Sequence, residues 1–235
     1  MTLFRNVFVQ AALIAVVLTT ATYILAFSVG WVTEPNWLEI LASGLNYGAT
    51  YLSIKQRRFF YVIGIGASAI YAVVYGQSGL LASAVLSMYL TTSLVYGFLR
   101  WGGDGNTRPA HHLSWKWLPV YVAITAIFYT GAVITVSLLG GSFAFWDSAI
   151  LVLTILAQFL LDNKVMETWI VWTLVNIVGT IIYFQSGLYF AAVQQVLFGM
   201  ANLWGWLSWR KTMEVHRVKR THPSGLLYDQ DLTKS

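Results

Sequence analysis

The chain has no cysteine, which excludes disulfides, iron–sulfur clusters and thiolate chemistry together. It has little charge. Asp, Glu, Lys and Arg make up 10% of 235 residues, against about 25% in a soluble chain. Hydrophobic residues reach 57%, against about 45–50%, and mean hydropathy is +0.65. So few charges cannot cover that much apolar surface. The scarcity rules out a soluble globular protein, a disordered chain and a secreted disulfide scaffold. Within the apolar runs Lys, Arg and His are missing, and Glu39 and Asp147 are the only acids, each close behind a Trp near the start of its run. Both acids are read as facing water or capping a helix N-terminus. Proton relays and ion-coupling sites place an ionisable group inside the membrane, so this lack argues against proton-driven pumping. With no His-Glu metal motif and no acid–base pair, it also argues against an enzyme. Sodium coupling through backbone carbonyls stays open.

What is present is a series of eight apolar runs, each near the roughly 20 residues a spanning helix needs. The expected helices are Phe8–Phe27, Trp37–Ile54, Phe59–Tyr75, Leu80–Leu99, Trp117–Leu139, Phe145–Leu161, Thr168–Tyr183 and Leu188–Trp209. Gly76-Gln77-Ser78-Gly79, Gly140-Gly141-Ser142 and Gln185-Ser186-Gly187 are turn-forming breaks. Ser53–Arg58 and Asp162–Glu167 are charged ones. Eight spans place both termini on one side, and all 14 Lys and Arg fall in the loops and tails of that side. That side is therefore cytoplasmic. The same asymmetry explains the basic isoelectric point without nucleic acid, and the tail from Lys211 to Arg220 is expected on anionic headgroups. The first run exceeds the 7–15 residues or so of a signal-peptide core and is read as a retained anchor.

The chain resembles itself at an offset of 108 residues. Gln77-Ser78-Gly79-Leu80 recurs as Gln185-Ser186-Gly187-Leu188, and Gly97, Leu99 and Trp101 recur as Gly205, Leu207 and Trp209. Positions 57–101 hold ten identities with their counterparts, where chance in this composition gives about three or four. The expected organisation is therefore an all-α integral membrane protein. An N-terminal helix (1–30) precedes a three-helix unit (37–101), a loop and linker helix (102–140), a second three-helix unit (145–209) and a tail (210–235). One linking span makes the two units parallel repeats, an arrangement of transporters that place substrate near the midplane between the copies.

The spans hold neutral polar groups beside aromatic rings. Trp169, Trp172 and Asn176 follow at spacings of three and four, on one helical face. Gln194, Gln195 and Asn202 lie in the last helix, and Asn46, Tyr71, Ser87 and Tyr89 in the first unit. Asn and Gln are costly in lipid and belong inside the bundle. Such a lining suits a flat heteroaromatic solute. Indole faces bind a cationic ring without a buried acid, and carboxamides both donate and accept. Gly44 and Gly48 form a close-packing GxxxG. His111-His112 and Gly102–Gly105 are read as solvated loop rather than a metal or phosphate site.

The ordered stretch Trp146-Asp147-Ser148, Glu167-Thr168-Trp169 with Trp172 and Asn176, then Tyr183, Gly187-Leu188-Tyr189, Gly205 and Trp209 resembles the PnuC family of bacterial nicotinamide riboside transporters. The first unit resembles the family through Trp37, Gly79-Leu80, Tyr96-Gly97 and Trp101. The last helix departs from the family pattern, with Gln194-Gln195 and Asn202-Leu203-Trp204-Gly205-Trp206 more like the usual end of a first unit. The resemblance implies a SWEET-like 3+1+3 core in the bacterial inner membrane. It implies facilitated diffusion of an unphosphorylated vitamin precursor without a cofactor, and a homotrimer. It also implies substrate contact by Trp172 and Asn176, with Tyr183 in the carrying stretch. Thiamine, carried by close relatives, is the alternative solute, and a receptor or assembly protein without transport is the alternative class.

Overall fold

The computed structural model describes residues 6–32, 34, 36–77, 81–102, 109–138, 144–185, 187 and 189–221. Ser78-Gly79 of the first expected turn, the 140–142 turn, Ser186 of the third, most of the 102–105 loop and the tail after 221 lie outside them. Among the described residues the fold is all-helical: α1 (Val7–Ser28), α2 (Trp37–Ile54), α3 (Phe60–Gln77), α4 (Leu81–Trp101), α5 (Leu118–Leu138), α6 (Ala144–Asp162), α7 (Thr168–Gln185) and α8 (Tyr189–Thr221). Four of these, α1, α5, α6 and α7, are long and apolar enough to cross a membrane by composition alone.

Local chemistry starts the first helices. Asn36 caps α2 by accepting from the backbone N–H of Leu38 and Glu39 at 3.1 and 3.3 Å. Glu39 and Asp147 sit in the first turns of α2 and α6, where a carboxylate complements the helix dipole. Every helix end except that of α8 falls within two residues of expectation, and two of the differences matter. α8 runs twelve residues past Trp209, because neither Gly nor Pro interrupts the basic segment and Arg210 pairs with Glu214 one turn on, at 3.2 Å. α6 extends to Asp162, which takes this acid out of the loop and into the bundle.

Packing is sequential within α2–α3–α4 and within α6–α7–α8. The two groups meet along α4 against α6 and α2 against α8, a pattern unchanged when each helix is exchanged for the one four places later. α5 packs on α6 and buries none of its residues. α1 packs on α2 and α8. A side chain at Gly44 would meet Thr19 at 3.2 Å and one at Gly48 would meet Ala15 at 3.6 Å, so the GxxxG is the seat of α1.

The 108-residue offset reaches into the backbone. The turns between α2 and α3 and between α6 and α7 each contain one non-glycine residue at positive φ, Gln56 at 53° and Lys164 at 55°. Arg57 N–H donates to Leu52 O and Val165 N–H to Leu160 O, both at 2.9 Å. These turns, with the Lys and Arg around them, form what we call the basic end of the bundle. Its core is aromatic. Trp101 and Trp209 are fully buried, and they pack edge-on to Tyr61 and Trp169 at 5.4 and 5.2 Å. Gly97 and Gly205 make room, since a Cβ there would lie 2.3 Å from Tyr61 and 2.5 Å from Trp169. Gly205→Ala is therefore expected to destabilise the fold by about 1–3 kcal/mol, read as a lower melting temperature in detergent. An unchanged melt would show that the indole yields.

Lys164 lies in the expected charged break between α6 and α7 but is not exposed there. It is fully buried, with Nζ 4.4 Å from the Trp101 ring centroid. The positive φ turns its stem inward, where methylenes pack and the ammonium meets a π-face. The His111-His112 segment is also held. His111 exchanges backbone hydrogen bonds with Lys164 and Met166 at 3.1 and 2.9 Å, and the Glu167 carboxylate accepts from Leu113 N–H at 2.9 Å.

Candidate functional site

The halves enclose a cavity of about 290 Å³, walled by α2, α3, α4, α6, α7 and α8. Ten of the eleven residues singled out above line it: Asn46, Tyr71, Ser87, Trp169, Trp172, Asn176, Tyr183, Gln194, Gln195 and Asn202. Tyr89 is not among them. It is 38% exposed, because Ser87 faces the cavity and two further residues rotate about 200° around a helix. Spacing explains the α7 set. Residues 169, 172 and 176 stack along one face, from the aromatic basic end upward.

Each lining group is positioned by a neighbour. Trp169 closes the basic end, wedged between Gly205 and Trp209. Gln194 Nε2 donates to Ser43 Oγ at 2.8 Å, and Ser43 Oγ lies 3.1 Å from Tyr71 Oη. This links α8, α2 and α3 toward the opposite end. Gln195 lies over Gly179, where a Cβ would come within 3.2 Å of its side chain. Trp169 Nε1 and Asn202 Nδ2 are buried donors with no hydrogen-bond partner among the described residues. Two such donors beside a cavity are chemically open to an acceptor. The described lining residues include no Asp, Glu, Lys, Arg or His.

The lining follows the repeat. Ten of its thirteen first-half residues have a partner 108 positions later that lines it too. The pairs include Asn46 with Thr154, Thr50 with Gln158, Gly64 with Trp172, Ser68 with Asn176, Leu86 with Gln194, Ser87 with Gln195, Leu90 with Phe198 and Leu94 with Asn202. The backbone is near-symmetric, while the chemistry is not. Both indoles and four of the six carboxamides come from α7 and α8, whereas α3 and α4 supply small residues, hydroxyls and leucines together with the Phe60 and Tyr71 rings.

Sequence reasoning missed the group beneath this cavity. Asp162 is 1% exposed. Its Oδ1 accepts from Tyr61 Oη and Gln158 Nε2, both at 2.8 Å, and its Oδ2 from Ser93 Oγ at 3.4 Å. Asp162 and Gln158 belong to α6, Tyr61 to α3 and Ser93 to α4, so one carboxyl joins the halves at the basic end. The available signal was Gln158, one turn before the acid on the same face.

The model of the nicotinamide mononucleotide transporter family matches residues 36–211. The nicotinamide riboside transporter PnuC of Escherichia coli is 22% identical over 204 residues, covering 74% of this chain and 85% of the relative. The riboflavin/roseoflavin transporter RibM of Streptomyces davaonensis is 35% identical over 63 residues, covering 27% of this chain and 30% of the relative. The crystal structure of the vitamin B3 transporter PnuC superposes with a TM-score of 0.70 at 19% identity, over 88% of this chain and 93% of that one. The fold is thus PnuC-like, and the chain, an integral membrane protein and not an enzyme, belongs to the nicotinamide mononucleotide transporter family.

Proposed function

We propose that the protein imports nicotinamide riboside across the bacterial inner membrane by facilitated diffusion. In this reading all eight helices span the bilayer, both termini are cytoplasmic, and α2–α4 and α6–α8 are parallel repeats. The placement of every Lys and Arg on one side supports the orientation. The exchange-invariant packing supports the repeats. The observation that carries the solute is the asymmetric lining. A pyridinium ring stacks on Trp172, its charge balanced by the π-face rather than by an acid. Its carboxamide pairs with side-chain amides among Asn176, Gln194, Gln195 and Asn202. A volume of about 290 Å³ is at the lower edge of small-molecule sites, roughly 300–1,000 Å³. Rocking of the halves about the bound solute then alternates access.

A flavin is the second reading, favoured by the local likeness to RibM. Titrating the purified protein with nicotinamide riboside, thiamine and riboflavin separates the solutes. Binding of the riboside in preference to the other two is the expected result, and preference for either of them overturns the assignment. Labelled riboside is expected to equilibrate into proteoliposomes without an ion gradient. Binding without uptake would mark a receptor instead.

A further inference from the structure

Gly64 is the partner of Trp172 at the 108-residue offset, and both line the cavity. Neither a positive φ nor a clash with backbone or ring accounts for it. Its φ is not positive; among the described glycines only Gly30, Gly102 and Gly187 have that geometry. No backbone or ring presses on it, unlike Gly97 and Gly205. A Cβ would first meet Leu94 Cδ1 at 3.3 Å, the end of a flexible side chain. Glycine is the poorest helix former after proline, so its presence here is not explained by the helix. What remains is space. In a cavity of about 290 Å³ already lined by the indoles of Trp169 and Trp172, a further large side chain at position 64 would occupy the volume a ligand needs.

We infer that Gly64 determines specificity. With Ser68 and Ser87, the partners of Asn176 and Gln195, it forms a lobe opposite the ring-binding wall. This lobe takes the hydroxyl-bearing, non-aromatic part of a ring-plus-appendage solute, and the missing side chain sets how large that part can be. The ligand is held in two chemically distinct halves, its ring on α7–α8 and its appendage on α3–α4. The inference rests on the proposed solute class, since it needs a ligand with such an appendage.

The test uses the purified full chain in detergent and isothermal titration with nicotinamide riboside, thiamine and riboflavin. Gly64→Leu is expected to weaken riboside binding by roughly 10- to 100-fold, the range that overfilling a fitted space produces, with a thermal melt beside the titration to show that the variant is folded. Gly64→Ala is expected to lose less and to fold in any case, and adding Leu94→Ala to it should restore affinity by returning volume. Gly131→Leu is the control, because nothing lies within 4 Å of a Cβ there; it should bind as wild type. Wild-type riboside affinity in Gly64→Leu overturns the inference and leaves the proposed function standing. If thiamine or riboflavin is the preferred ligand, the proposed function fails, and the same Gly64 series read with that ligand decides the inference. Binding of none of the three overturns both.

Discussion

Trp172→Ala and Asn176→Ala, combined, are expected to lower nicotinamide riboside affinity about a thousandfold. A desolvated cation over an indole face contributes about 2 kcal/mol, or about 30-fold. Loss of a buried amide partner costs a further 1–3 kcal/mol or so. Each single variant should therefore lose tens-fold. Both side chains face the cavity, and neither belongs to the aromatic core of the basic end, so the variants should melt close to wild type. Tyr89→Ala, on the exposed face of α4, should bind normally. Isothermal titration beside a thermal melt separates loss of binding from loss of fold. Wild-type affinity in both single variants would remove α7 from the site.

Asp162→Ala is expected to be the most damaging single change to stability, by about 3 kcal/mol. It strips the acceptor from Tyr61, Gln158 and Ser93 at once, and a buried donor left unpaired costs about 1–3 kcal/mol. Asp162→Asn should be mild. Its carbonyl oxygen can still accept from Tyr61 and Gln158, and its amide can donate to the Ser93 hydroxyl in the reversed sense. Tyr61→Phe removes one donor and should cost about 1 kcal/mol. Thermal melts of the three variants check this order. Equal melts for the Ala and Asn variants would mean that the acceptor does not hold the halves together.

Several elements were legible because their causes are local. The apolar run opening at Trp37 marks a helix start, and α2 begins where it was expected. The shared Gln-Ser-Gly-Leu run reported the 108-residue offset, and the two αL turns and the paired lining positions follow that offset closely. The α7 face was legible because three residues at helical spacing share a side whatever packs against it. The misses needed information from other helices. Ser87 and Tyr89 are both polar members of one run; which of them faces inward is set by where α4 meets its neighbours. Asp162 read as a loop charge because nothing near it in the chain foretells Tyr61, 101 residues away. That Lys164 of the same charged break is buried over Trp101 likewise depends on α4, which the local sequence does not report.

The chain's own order of residues determined that this is a helical membrane protein whose sequence repeats at 108 residues, with its Lys and Arg confined to alternate breaks and the tails. Hydropathy, turn chemistry and charge are properties of short segments and survive without any knowledge of neighbours. The tertiary structure alone decided that Gly64 faces the same space as Trp172, that one buried carboxyl joins the halves, and that Tyr89 is outside. Those facts depend on the rotation of each helix about its axis, which is set by the close packing of Gly97 on Tyr61 and Gly205 on Trp169 and not by any segment read in isolation.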